Sequence, residues 1–362
     1  MSQLFSPLLL RGLTLRNRLV VASMCQYSAV DGLADDYHLV HLGRFALGGF
    51  GMVIVEATAV NPEGRISHGD LGLWDDSHIG PLARVASFLK ENGAVPAIQL
   101  AHAGRKGSTR RPWRGEGTVI AADLEDLGDE PWTTIAPSAL PHASHYAHPA
   151  ALDESGIERV QDAFAQAARR AVTAGFEVAE LHCGHGYLLN QFLSPVANKR
   201  SDAYGGSLDN RMRLPLQIAR DLRLIWPADR PVLVRVSATD HIKGGWTLDD
   251  TLVFAAELKA SGIDMIDCSS GGFDGAAQNA FSTYHVPFAE SIAQAAGIRT
   301  MAAGLIRTPH QAEAAVRDHY VDLVGLARGA LMDPNWPLHA HMELKGATGE
   351  PPPWPKQSGW AM

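Results

Sequence analysis

Two imidazoles, a thiol and a phenol fall within six consecutive positions, His182-Cys183-Gly184-His185-Gly186-Tyr187, directly after an apolar run that ends at Leu181. Imidazoles at this spacing can ligate zinc, or they can donate two hydrogen bonds to one carbonyl oxygen and stabilise charge developing there. The spacing alone does not choose, although no Asp or Glu lies beside the histidines to complete a metal triad. Tyr187, two residues past His185, is close enough to give a proton to a neighbouring carbon.

Further reactive types stand at the ends of other short apolar runs: Ser23, Met24, Cys25 and Tyr27; Glu56 and Ala57; Gln99 and His102; Arg235; Ser269 to Gly272; Gly304; and Arg328. Gly304 permits close backbone approach and Arg328 offers a bidentate cation, a pairing suited to a phosphate and hence to a phosphorylated cofactor. Arg235 has no carboxylate neighbour in sequence. It suits a ligand that becomes anionic on reduction, as a flavin does, or it closes a structural salt bridge. Nothing adjacent to Cys25 would depress its pKa, so it is not read as a nucleophile.

These residues need a scaffold that brings strand ends to one face. Eight short β-rich runs supply it: Arg18 to Ala22, Met52 to Ala57, Val95 to Leu100, Val178 to Cys183, Val232 to Val236, Met265 to Ser269, Arg299 to Ala303 and Leu323 to Ala327. Amphipathic stretches separate them, as in Val160, Phe164, Ala167, Ala168 and Ala171. Gly93, Gly175, Gly262 and Gly297 each precede a strand, where a helix needs a left-handed residue to end. Ser155 with Glu158, Thr247 with Asp250, and Thr308 with Gln311 read as capping boxes, and Ser207 reads as an N-cap. Eight strand-helix units imply an α/β protein, a single (β/α)8 TIM barrel covering 1–362, with its reactive face at the carboxyl ends of the strands.

One connection breaks the rhythm. Residues 101–154, after strand three, form a long excursion rich in Arg105, Lys106, Arg110, Arg111, Trp113, Arg114 and Trp132. A loop this long suggests an active-site lid, and its arginines make NADPH a plausible hydride donor. The Pro-rich tail, 346–362, should be extended.

Composition narrows the classes. With 46% apolar and 19% charged residues the chain can fill one large core, and a net charge of -8 argues against nucleic acid or a polybasic membrane contact. Cys25, Cys183 and Cys268 are scattered, with no CxxC pair, which fits a reducing cytoplasm. No secretory leader or membrane span is evident.

Six stretches carry a specific resemblance: MCQYS (Met24 to Ser28), VEATAVNPEGRISHGDLGLW (Val55 to Trp74), IQLAHAGRK (Ile98 to Lys106), IAPSA (Ile135 to Ala139), ELHCGHGYLLNQFLSPVANKRSDAYGGSLDNRMR (Glu180 to Arg213) and LARGALMDP (Leu326 to Pro334). The chain resembles the old yellow enzyme family of FMN-dependent ene-reductases, within it the bacterial class of YqjM-like enzymes and xenobiotic reductases. The resemblance implies noncovalent FMN contacted by Ala22, Ser23, Met24, Cys25, Ala57, Gln99, Arg235, Gly304, Ala327 and Arg328, with Tyr27, His182, His185 and Tyr187 facing substrate. It also implies that NADPH, or NADH, reduces the flavin, which then delivers hydride to the β-carbon of an alkene conjugated to a carbonyl or nitro group. The histidines would polarise the activating oxygen, Tyr187 would protonate the α-carbon, and Cys25 would tune the flavin. The resemblance further implies a homodimer or homotetramer. Ser23 stands where relatives usually have proline, and Ser358 where the YqjM type has an arginine before the terminal Gly359-Trp360.

Rival readings are a larger iron-sulfur flavin barrel of the dienoyl-CoA reductase kind, a metal-dependent hydrolase built on His182 and His185, and a non-catalytic flavin redox sensor using Cys25.

Overall fold

The computed structural model describes residues 2–276, 283–345 and 352–361. Eight parallel strands close into a barrel: β1 Leu19–Val21, β2 Met52–Ala59, β3 Val95–Ala101, β4 Val178–Cys183, β5 Val232–Ser237, β6 Met265–Ser269, β7 Arg299–Ala302 and β8 Leu323–Leu326, with β8 pairing back onto β1. All eight runs read from the sequence are therefore strands, each with ends within two residues of expectation.

Strand alternation divides the barrel interior into layers. Val20, Met52, Ile54, Ala97, Val178, Leu233, Met265, Met301 and Leu323 pack into one buried cluster that also includes Leu8, Leu10 and Leu15. These leucines belong to a short antiparallel hairpin, Leu8–Leu10 with Leu13–Leu15, which plugs the amino-terminal end of the barrel. The sequence reading did not anticipate this hairpin. Above the apolar layer the same inward positions become polar, with Gln99, Glu180, Arg235 and Asp267 all buried. The interior thus offers a dry floor and a charged ceiling.

Helices wrap the outside as α1 Asp36–Leu47, α2 Ile79–Glu91, α3 Ala121–Leu127, α4 Glu154–Thr173, α5 Leu188–Leu193, α6 Leu208–Ile225, α7 Leu248–Ala260, α8 Val286–Ala296 and α9 Pro309–Asp318. The expected apolar stripe of α4, Val160 through Ala171, is buried. Gly93, Gly175, Gly262 and Gly297 all have positive φ, as helix-ending residues before a strand require. Thr247 and Thr308 form the expected capping boxes with Asp250 and Gln311, and the Ser207 hydroxyl accepts from Asn210 N–H. The Ser155 box is corrected: α4 starts earlier, and the Asp153 carboxylate is the cap, accepting from Gly156 N–H at 2.7 Å. A carboxylate binds the open amides more strongly than a hydroxyl does.

Between β3 and α4 the chain carries 3-10 turns, α3 and a two-residue strand pair, Ile135–Ala136 with Ala150–Ala151. Its arginines are committed internally. Arg110 and Arg114 both pair with Asp123, Arg114 also with Asp126, and Arg111 with Asp129. Arg105 donates to the Leu140 and Pro141 carbonyls and lies over Phe273. Arg110, Arg111 and Arg114 are thus each paired with carboxylates of their own excursion. In the tail, residues 346–351 and 362 lie outside the described residues, and Lys356–Gly359 is a short helical turn rather than extended chain. Among the described residues no helix is long and apolar enough to cross a membrane.

Candidate active site

The His182-to-Tyr187 segment turns sharply at the top of β4. His185 takes a left-handed conformation, φ 57, and Gly186 follows at φ 71. A non-glycine residue there costs about 1–2 kcal/mol, so the surroundings must hold it. The Ser237 hydroxyl accepts from His185 N–H at 2.8 Å, and Lys106 Nζ donates to the His185 and Gly272 carbonyls at 2.9 and 3.1 Å. Gly272 allows the loop after β6 to close in, because a Cβ on it would lie 2.1 Å from the His185 carbonyl carbon. Three barrel loops thus lock one histidine.

The two rings face each other. His182 Nε2 lies 3.3 Å from His185 Nδ1, with the rings edge-on and their centroids 5.1 Å apart. The other nitrogen of each ring has a local partner: His182 Nδ1 accepts from Gly184 N–H at 3.3 Å, and His185 Nε2 is 2.6 Å from the Ser269 hydroxyl. Burial, then the Arg235 charge, holds both imidazoles well below their usual pKa, and Lys106 adds to this. Both are neutral at pH 7. Because a backbone N–H occupies Nδ1 of His182, its single proton resides on Nε2, directed at the gap between the rings.

Tyr187 borders that gap. Its ring packs edge-on to His182 at 5.2 Å, and Lys106 Nζ sits 4.9 Å over its face. Burial, followed by Cys25, Asp70 and Tyr146, raises its phenol well above 10, so it keeps its proton. Burial and then Arg105 lower Lys106 to about 8.

Opposite stands the segment after β1. Tyr27, at φ 52, and Cys25 lie close enough that their titrations influence each other. The Cys25 thiol is pushed well up by burial, Asp70 and Glu56, despite help from the Ala57 amide and Tyr27 hydroxyl. A β-bulge between Val55 and Ala57 gives Glu56 no strand partner, and its carboxyl accepts from Gln26 N–H at 3.0 Å. Asp70, absent from the sequence-based set, is fully buried here and held by Ile66 N–H, Ser67 N–H and the Ser67 hydroxyl; desolvation moves it up to about 6.

Further round the rim, Gln99 donates to Glu180 at 2.7 Å. Arg235 donates to the Ser23 hydroxyl at 3.1 Å, giving the serine at this position a partner that proline could not provide. Its Nε lies 3.2 Å from Asp267 yet makes no aligned hydrogen bond. Arg235 is therefore not free of carboxylates; the cross-strand register sets Asp267 beside it. Ala22 and Ala57 are small and buried, and Met24 is half-buried. Gly304, φ 108, would bring a Cβ within 2.9 Å of His285, and Ala327 caps the turn Arg328–Met332, whose Arg328 is exposed and influences Tyr284.

These residues fit a flavin mononucleotide. A small-residue floor accepts a flat ring, the under-satisfied Arg235 suits its polar edge, and the Gly304 and Arg328 rim suits a phosphate. Among the described residues no group of three His, Cys, Asp or Glu is placed to hold a metal ion.

Known proteins agree with this geometry. The model of the NADH:flavin oxidoreductase / NADH oxidase family matches residues 3–346. The chain is 43% identical over 345 residues to an NADPH dehydrogenase of Geobacillus sp. (strain WCH70), covering 95% of each chain. It is 42% identical over 354 residues to an NADPH dehydrogenase of Listeria monocytogenes serotype 4a (strain HCC23), covering 97% of this chain and 98% of that one. Among solved structures, morphinone reductase superposes with a TM-score of 0.79 at 26% identity, covering 94% and 90%. A 2-naphthoyl-CoA reductase complex superposes at 0.83 and 26%, but this chain spans only 52% of its length. The chain belongs to the NADH:flavin oxidoreductase / NADH oxidase family, and is an FMN-dependent oxidoreductase with the barrel of the old yellow enzymes, its relatives being NADPH dehydrogenases.

Proposed function

We propose that this flavin oxidoreductase is an ene-reductase, acting on alkenes conjugated to a carbonyl or nitro group. The observation that carries the reading is the convergence of His182 Nε2 and His185 Nδ1 at 3.3 Å, on two neutral rings. With its proton on Nε2, His182 donates to His185 Nδ1 at 3.3 Å; an oxygen entering between the rings would take that proton's hydrogen bond and, with the Ser269 hydroxyl donating to His185 Nε2, a second one from His185 Nδ1. A carbonyl or nitro oxygen supplies that acceptor, and donors fixed in advance stabilise the charge gathering on it. Bound FMN supplies the electron carriage, accepting reducing equivalents from NADPH or NADH and passing them to the alkene.

The chain's own residues do the rest. Tyr187 holds a proton above the carbon next to the activating group, and the Lys106 ammonium over its ring keeps the phenol in place. Arg235, Gln99, Ala22, Ser23, Met24, Cys25, Ala57, Gly304, Ala327 and Arg328 would hold the cofactor, and Tyr27 would meet the substrate. The 101–154 excursion covers the site. A cleft of about 370 Å³ between Lys106, His142, His145, Tyr146 and Gly272 admits the remainder of the substrate.

The whole chain acts as one domain. A homodimer or homotetramer is supported by exposed apolar side chains on and before α1, Val30, Tyr37 and Val40. A cytoplasmic location accords with three free cysteines. Anaerobic incubation with NADPH and cyclohexenone tests the activity: saturated ketone should form in step with NADPH oxidation. A flavin that NADPH reduces but neither enones nor nitroalkenes reoxidise would refute it.

A further inference from the structure

Two carboxyl groups inside the barrel, Glu180 on β4 and Asp267 on β6, take no part in the chemistry above, and both have zero exposure. Glu180 Oε1 accepts from Gln99. Glu180 Oε2 and both Asp267 oxygens have no hydrogen-bond donor directed at them. The two groups nevertheless lie within hydrogen-bonding reach of each other. Two dry carboxylates so placed repel strongly unless a proton lies between them.

The surrounding charges are few. Arg235 on β5 is the cation facing the pair, and Gln99 on β3 is uncharged. His182 above is held neutral, and burial with Asp267 keeps the Cys268 thiol protonated. We infer that Glu180 and Asp267 share a single proton beneath Arg235, and that this acid pair, acting through Arg235, adds one further proton to the pH dependence of the reduction potential of bound FMN. The inference rests on the FMN site described above.

The physics is a linkage. With one proton the pair carries one negative charge, which Arg235 balances; without it the locus becomes net negative and the arginine's field at the cofactor weakens. Two-electron reduction by NADPH adds negative charge near Arg235 and so makes the pair more basic. In the pH range between its oxidised- and reduced-state values, each reduction draws one further proton from solvent onto the pair. Burial, reinforced by Asp267 and opposed by Arg235 and Gln99, raises Glu180, which lifts that range above the ordinary carboxyl region. Both carboxyls are positioning residues, acting on the cofactor through Arg235.

The test is a spectroelectrochemical titration of FMN-loaded wild type and Glu180→Gln from about pH 6 to about pH 10, with infrared spectra of the same samples. The expected wild-type line steepens within this range, above the ordinary carboxyl region, by one proton per two electrons, and wild type at neutral pH shows a protonated-carboxyl C=O band. Glu180→Gln, whose amide donates to Asp267 permanently, should lose the break and the Glu180 share of the band, what remains coming from Glu56, whose carboxyl burial also raises well above its ordinary value. A wild-type line without a break, or the same break in Glu180→Gln, overturns the coupling; a wild type without the band overturns the shared proton. If Glu180→Gln does not fold, wild type alone decides both points. Failure to bind FMN would sink the cofactor reading instead, and the infrared band would still report on the pair.

Discussion

Replacing Tyr187 with phenylalanine removes one hydroxyl and leaves the ring that packs against His182 at 5.2 Å and beneath Lys106 at 4.9 Å. A positioned general acid contributes about 10²–10⁴ in rate. Tyr187 is an unusually weak acid, its phenol raised well above 10 by burial and by Cys25, Asp70 and Tyr146, which reduces the driving force for proton transfer. The lower half of the range therefore applies, about 10²–10³, or ~2.7–4 kcal/mol of transition-state stabilisation at 1.36 kcal/mol per tenfold. Anaerobic stopped-flow separates the steps. Flavin reduction by NADPH should stay within about twofold of wild type, because the ring and its contacts persist. Reoxidation by an enone should slow by the full factor; Tyr187 stays protonated from about pH 6 to about pH 9, so an inflection of the wild-type rate near pH 8 should trace to Lys106, which burial and Arg105 lower to about 8. Equal losses in both half-reactions, or an unchanged reoxidation, would refute the proton-donor role.

Arg328→Ala should raise the FMN dissociation constant about 10–100-fold, as expected for losing a charge-assisted contact of ~1.5–3 kcal/mol, measured by recovery of free-flavin fluorescence on dilution. Gly272→Ala forces a Cβ to 2.1 Å from the His185 main chain, so it should weaken binding of carbonyl ligands at least about tenfold while FMN is retained; normal ligand affinity would show that His185 does not depend on this contact. Cys25, with its thiol held up by burial, Asp70 and Glu56, should react with iodoacetamide at pH 8 at least about tenfold more slowly than free cysteine, and fast labelling would revive the sensor reading.

Local signals made the barrel legible. The eight runs, the helix-ending glycines and the Thr247 and Thr308 caps are each readable from neighbouring residues, and all stand as expected. What failed depends on residues far apart in sequence. Arg235 looked unpaired because Asp267, thirty-two positions on, becomes its neighbour only through the β5–β6 register. The partners of Arg110, Arg111 and Arg114, namely Asp123, Asp126 and Asp129, lie beyond a turn and no local motif names them. Asp70 lies inside the Val55 to Trp74 stretch but its neighbours in sequence do not mark it as a site residue; loop closure buries it beside Cys25 and Tyr27. One missed signal was available: a charged residue within the apolar run MIDCS, at Asp267, already marks a polar layer inside the barrel.

The central claim is that two neutral imidazoles grip one electron-rich oxygen above the flavin. Titrating FMN-loaded wild type and the His182→Ala/His185→Ala double variant with a phenol measures it through the charge-transfer band. Losing two hydrogen bonds to a charged oxygen, at ~1.5–3 kcal/mol each, should weaken phenol binding by at least about 10² while bound FMN is retained. An unchanged band in the double variant would contradict the account.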